Sequence, residues 1–275
     1  MSDVPEVPTP AWRTARKPAR APRKPPVTAE AIVDAALEIV DTEGLEALSM
    51  RGVAQRLDTG AATLYAHVQN KDELLELVLD RVNGEVRLPE PDPERWQQQV
   101  RESARQIRDV YAAHNDLAKA SFGKVPTMPN SLTAIEGMLA LLKAGDLPDR
   151  VVSWAADLLA LYTTSAAFEQ GLLGLEERRN PGATDKYFRQ LGEFFFALPP
   201  ERFPTLTSML ASMIEGDGDE RFDFGIDVIT LGLRAYADRM LAEKAAEAGA
   251  EAGAADGEGA AATDRPATAA DGSTN

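Results

Sequence analysis

Cysteine is absent from this 275-residue chain, which removes disulfides, thiolate metal sites and cysteine nucleophiles from consideration. Histidine is nearly absent: His67 and His114 are the only two, and they form no sequence pair suited to a metal or a general base. A glycine-rich phosphate loop is missing as well. These gaps argue against an enzyme and predict no metal and no cofactor. No uncharged apolar stretch approaches the roughly 18 residues of a membrane span, and the N-terminus has no apolar secretion segment. The reading is a soluble, cytoplasmic protein with no membrane partner. Sustained two-residue alternation is also lacking, so an all-α fold is expected.

Basic charge is scarce, with a formal net charge of −15. Its distribution is uneven. Arg13, Arg16, Lys17, Arg20, Arg23 and Lys24 crowd residues 12–26 without an acidic neighbour, whereas residues 28–87 hold five Lys or Arg against twelve Asp or Glu. Any attraction to nucleic acid must come from that N-terminal stretch and a few well-placed groups.

Residues 1–27 carry seven prolines, which forbid a long helix, and are expected to form an extended, disordered basic arm. From Thr28 the pattern changes. Thr28 suits a cap, Ile32, Ala36, Ile39 and Val40 repeat at helical spacing, and Gly44 stops the run. Ser49 caps a helix carrying Val53 and Leu57. Asp58-Thr59-Gly60 makes a turn, and a second short helix, Ala61–His67, follows. Asn70-Lys71-Asp72 opens a longer helix with Leu74, Leu75, Val78, Leu79 and Val82 as its apolar stripe. Pro89, Pro91 and Pro93 then mark a junction. Beyond it, helices are predicted near 94–117, 129–145, 148–178, 183–197, 203–215 and 219–243. Residues 243–275 hold no aliphatic side chain larger than Ala and are expected to be disordered. The resulting domains are 28–87 and 88–242.

The two short helices joined by a turn have the proportions of a helix-turn-helix, whose second helix enters the major groove. Leu64 serves as inward anchor, leaving Ala61, Ala62, Thr63, Tyr65, Ala66 and His67 for the groove and its walls. Lys71 offers charge beside a helix N-terminus.

Leu48-Ser49-Met50-Arg51, Val53-Ala54, Thr63-Leu64-Tyr65, His67-Val68 and Asn70-Lys71, at their spacing, resemble the DNA-binding signature of the TetR (tetracycline repressor) family over residues 28–84. The resemblance implies phosphate contacts from Ser49, Thr63, Tyr65, His67 and Lys71, and groove contacts from Arg51 and the 61–66 face. Asp58 stands where family members usually have Gly, and Gly60 where Ser is common. The turn is expected to survive both changes. Arg13, Arg16, Lys17, Arg20, Arg23 and Lys24 are candidate DNA contacts, with Arg13, Arg16, Arg20 and Arg23 entering the adjacent minor groove, the alternative being a solvated leader.

The remainder resembles the regulatory domain of the tetracycline-repressor subgroup, most plainly in Arg221-Phe222-Asp223-Phe224-Gly225-Ile226-Asp227. That implies a homodimer built from helices 150–178 and 219–241. Asp157 is the only charge between Val151 and Phe168, so that helix is expected to be buried on all sides, against its own core and against a second subunit. Gly225 and Gly232 are expected to admit a partner helix. The resemblance further implies a ligand pocket, with Phe122, Leu132, Ile135, Met138, Trp154, Tyr162, Phe168, Glu169 and Gln170 as candidate walls. Drug-bound relatives use histidines to orient a magnesium-chelated tetracycline. Arg87 and Ser121 lie near those places here, so a small hydrophobic effector fits better. His114 is expected at the surface.

The resulting expectation is a dimeric repressor that reads a palindromic double-stranded DNA operator and is released by its effector. The alternative is a constitutive repressor or an activator of the same fold. A collapsed core would favour that alternative, and a cavity would favour induction.

Overall fold

The computed structural model describes residues 26–114 and 116–261, with side chains through 247. The six basic residues of the arm lie outside this range, as does the tail from 262 onward. The described residues form eleven α-helices and one turn of 3-10 helix, with no strand among them.

Four helices make the N-terminal head. Thr28 Oγ1 accepts from Ala31 N at 3.1 Å to open α1 (Ala29–Glu43), and Gly44, at φ 91°, closes it. Ser49 Oγ does the same for Gly52 N in α2 (Met50–Arg56). Asp58 then takes φ 48°, a left-handed turn that Asp tolerates in place of Gly. After it comes α3 (Ala61–Tyr65), shorter than the expected Ala61–His67. Asn70 Oδ1 caps α4 (Lys71–Asn83) by accepting from Glu73 N at 2.9 Å. Ile32, Val40, Val53, Leu64, Leu74 and Val78 are fully buried where these helices meet. Each such side chain contributes about 1.5–3 kcal/mol by leaving water.

The proline-rich connection is fixed by a buried amide. Gln99 donates to Glu90 O at 2.7 Å and accepts from Asp92 N at 2.8 Å. The larger domain follows: α5 (Trp96–Ala113), α6 (Leu117–Ser121), α7 (Pro129–Lys143), α8 (Asp149–Arg179), α9 (Ala183–Phe196), α10 (Pro204–Ile214) and α11 (Gly218–Ala261). Its core gathers Val100, Ala104, Leu141, Leu142, Leu159 and Ile226. Helix α8 has the length and mean hydropathy, 1.3, of a membrane span. Here it is the central helix, on which α5, α6, α7, α9 and α11 all pack.

Trp154, Leu158 and Leu161 on α8 are 52%, 46% and 55% exposed in the single chain, a surface of the kind that the sequence reading assigns to a second subunit. Two features depart from the sequence reading. Helix α11 continues to Ala261, past the boundary placed at 242. Ala, Glu and Lys cannot build a core, yet they are strong helix formers, and lack of burial does not prevent helix. At Gly225 the close approach is intramolecular, because a Cβ there would sit 2.1 Å from Tyr162 Oη on α8.

The head does not end where α4 does. Tyr111, Leu117, Ala118 and Ala167, from α5, α6 and α8, complete its apolar core. A buried carboxylate adds a polar pin. Asp80 Oδ1 on α4 accepts from Ser131 N at 2.8 Å and Ser131 Oγ at 2.9 Å, and Oδ2 accepts from Asn130 Nδ2 at 3.1 Å. The carboxylate thereby caps α7 and complements its dipole. Asn83 Nδ2 donates to Ser131 Oγ at 2.9 Å, and Tyr111 Oη donates to Asn83 Oδ1 at 3.1 Å. Replacing Asp80 with Ala strands the donors of α7, so urea denaturation should show a loss of about 2–3 kcal/mol. A loss below about 0.5 kcal/mol would contradict this pin.

Candidate DNA interface and effector cavity

The outer face of the head carries the groups that the helix-turn-helix reading requires. Leu64 is fully buried, while Ala62, Thr63, Tyr65, Ala66 and His67 are exposed and Ala61 is half-buried. Tyr65 is 55% exposed although aromatic. Ser49 Oγ and Thr63 Oγ1 both act as acceptors within the protein, from Gly52 N and from Thr59 Oγ1 at 3.1 Å. Each hydroxyl therefore keeps its own proton to donate. Arg56 is drawn to Glu38 at 2.8 Å and Glu43 at 2.9 Å, and Arg81 to Glu85 at 3.2 Å and Asp34 at 3.6 Å. Arg51 and Lys71 are exposed and form no ion pair among the described residues.

A cavity of about 820 Å³, open to solvent, lies between α5, α8 and α11. Tyr162, Glu169 and Gln170 line it, as the sequence reading expects. The other candidates do not. Met138 is buried in the core, and Phe168 packs against the core that the head shares. Phe122, Leu132 and Ile135 face outward, and Trp154 sits under Arg150 at 4.3 Å. Sequence reasoning missed Arg108, Ser165, Thr184, Arg221 and Phe222. An arginine in an amphipathic helix reads as solvated until its partner helix is known. Arg87 turns back to the carbonyls of Gly84 and Val86, and Ser121 donates to Ala118 O at 2.8 Å, so neither of these two residues lines the cavity. No cluster of three metal-ligating side chains occurs among the described residues.

Residues 88–237 match the family model of the tetracyclin repressor-like C-terminal domain, and residues 32–78 match that of bacterial regulatory proteins of the tetR family. The chain belongs to the TetR family. The repressor DrrR1 of Streptomyces coeruleorubidus is 33% identical over 85% of this chain and 87% of its own length. Among solved structures, ActR of Streptomyces coelicolor in complex with actinorhodin is 42% identical, with a TM-score of 0.71 over 77% of this chain and 97% of that one. ActR without ligand gives a TM-score of 0.70 at 41% identity, over 78% of this chain and 99% of that one. TetR-family members are non-enzymatic, DNA-binding, ligand-responsive transcriptional regulators that act as dimers, and this chain is one of them.

In this TetR-family chain the head and the effector domain meet at His114, which is half-buried between helices rather than superficial, its side chain 12% exposed. Helix α5 ends there, and Asp116, at φ 59°, turns the chain into α6. His114 Nδ1 lies 3.0 Å from Asp41 on α1, and Nε2 lies 3.4 Å from Glu85 just after α4. Asp116 Oδ2 accepts from Leu45 N at 3.4 Å. The hydrogen bond to Asp41 raises the His114 pKa above 6.5. Burial opposes the rise, and the charges of Asp41 and Glu85 reinforce it. A raised folded value means that the imidazolium form stabilises the fold. That contribution is complete below the unfolded value of about 6.5 and disappears as pH climbs through the folded one. The stability gap between the native protein and His114→Gln should therefore be wider at about pH 6 than at about pH 9 in urea denaturation. An equal gap at both would contradict the assignment.

Proposed function

We propose that this protein is a cytoplasmic homodimeric repressor that binds a palindromic double-stranded DNA operator and releases it when a small molecule fills the cavity between α5, α8 and α11. The observation that carries this reading is an unpartnered apolar face on α8 and α11. Trp154, Leu158 and Leu161 share the protein surface with Phe224, Val228 and Leu231, all of them about half-exposed or more. Exposed apolar area of this kind marks an interface. A two-fold axis through it supplies a second reading head, and two recognition helices roughly 34–36 Å apart fit successive major grooves.

On the DNA, Ser49, Thr63, Tyr65, His67 and Lys71 contact phosphates, while Arg51 and the Ala61, Ala62 and Ala66 surface enter the groove. Alanine methyl groups suit thymine methyls. Because Arg51 and Lys71 are the head's two cations outside ion pairs and internal hydrogen bonds, the arm residues Arg13, Arg16, Lys17, Arg20, Arg23 and Lys24 supply further attraction to the duplex. Effector binding favours a head separation unsuited to the operator, with α5 as the lever. The cavity supports this reading over a constitutive regulator of the same fold.

Leu158→Glu combined with Leu231→Glu should yield a monomer in sedimentation, with at least about 100-fold weaker affinity for a full palindrome. A double variant that remains dimeric would sink the bundle assignment. Deleting residues 1–26 should weaken operator binding and make its log affinity against log salt shallower, by about 0.9 for each phosphate that the arm neutralises. An unchanged slope would remove the arm from the interface.

A further inference from the structure

We infer that the effector is a planar aromatic molecule bearing an acidic group, and that the acid engages Arg108 and releases one rung of an ion-pair ladder clamping α5 to α11. The inference rests on the effector reading above and names the chemistry of that cavity. Arg101, Arg105 and Arg108 lie along one face of α5. Opposite them, in antiparallel order, α11 presents Asp227, Asp223 and Asp219. Arg105 Nε meets Asp223 at 2.6 Å, and Arg108 Nη2 meets Asp219 at 2.7 Å. The last rung, Arg108 and Asp219, is part of the cavity wall.

Arg108 has the properties of an acid receptor. Its side chain is 5% exposed, so its field is little screened by water. The guanidinium lies 4.6 Å over the Phe222 ring, and Phe222 stacks on Tyr162 with centroids 5.4 Å apart at 15°. Nε and Nη2 serve Asp109 at 2.9 and 2.8 Å, whereas Nη1 has no partner among the described residues. A planar carboxylate matches that fork, and an aromatic plane can continue the existing stack.

Three other carboxylates of the cavity are already committed: Glu169 pairs with Arg221 at 3.2 Å, Glu177 accepts from Gly182 N at 2.7 Å, and Asp217 accepts from Glu220 N at 2.8 Å. Asp185 stands on the wall formed by α9, away from the Arg108 rung in sequence and without an ion pair among the described residues. A third acid at Arg108 competes with Asp109 and Asp219. Asp219 is the one to leave: it meets Arg108 through Nη2 alone, whereas Asp109 accepts from both Nε and Nη2, and its exposed side chain passes to water at little cost. Its departure leaves α5 joined to α11 by two rungs instead of three. The acid therefore binds the loosened state better, which is the differential affinity that moves a two-state equilibrium.

The test compares anthraquinone-2-carboxylate with neutral 2-(hydroxymethyl)anthraquinone, by calorimetry on the full chain and by operator release in fluorescence anisotropy. The native protein should favour the carboxylate by about 10-fold or more. Arg108→Gln should bring the two probes within about twofold of each other. Asp219→Asn, a change at an exposed side chain, should bind the carboxylate several-fold tighter and hold the operator more weakly without any probe. It supplies an independent arm should Arg108→Gln not fold. Equal affinity of both probes for the native protein overturns the inference, as does an acid preference that survives Arg108→Gln, or no binding of either probe. If the carboxylate binds through Arg108 and the operator nonetheless stays bound, the acid site stands and the effector reading falls with its ladder coupling. If the neutral probe releases the operator equally well, the effector reading stands and the acid requirement falls.

Discussion

The reading head is positioned by a core that continues through the domain boundary. Tyr111, Leu117, Ala118 and Ala167 belong to the regulatory domain by sequence, yet they close the apolar interior of the head. Apolar contact alone is non-directional and tolerates sliding. The polar pins around it do not. Asp80 fixes α4 to the start of α7, and His114 and Asp116 fix the end of α5 to α1 and the 3-10 turn. Hydrogen bonds of buried groups are directional and costly to leave unmade, so the head has few orientations available to it. A regulator needs that property: discrete head positions rather than a loose tether.

The charge distribution follows a related logic. An acidic protein that binds DNA has few cations to deploy, and this one commits several internally. Arg101, Arg105 and Arg108 hold α5 to α11, while Arg56 and Arg81 tie helices of the head together. Arg51 and Lys71 stay exposed, without an ion pair among the described residues. On the proposed function the single head is consequently a weak reader, and operator affinity rests on duplication of the head and on the basic arm. The same ladder joins α5 to α11, which on the proposed function are the lever helix and a helix of the dimer face, so that a loss in charge economy becomes a gain in coupling.

Much of this was legible in the sequence, for identifiable reasons. Thr28, Ser49 and Asn70 are side chains that cap helices, and each does so here. Leu64 is the lone large apolar residue facing inward from a five-residue helix, and Asp58 accepts the left-handed turn. Local chemistry decides such features. The cavity was legible only in part. Tyr162, Glu169 and Gln170 lie on one stretch of α8, so a single correct helix placed all three. Arg108 and Phe222 are more than a hundred positions apart, and only the packing of α5 on α11 brings them together. The arginine and aspartate spacings were visible on each helix separately, without any sign of which helix faced which. His114 was misjudged for the same reason, because Asp41 and Glu85 reach it from other helices.

The central claim is that filling the cavity changes the separation of the two heads. The absence of cysteine makes this directly measurable, since Gln55→Cys on the exposed side of α2 would give one spin label per protomer. Pulsed dipolar distances between the two labels should match the operator-bound distribution in a substantial fraction of the free dimers. On saturating the cavity, the distribution should move by several ångström, away from the spacing that places recognition helices roughly 34–36 Å apart. A distribution identical with and without the cavity occupant, at full occupancy, would contradict the account.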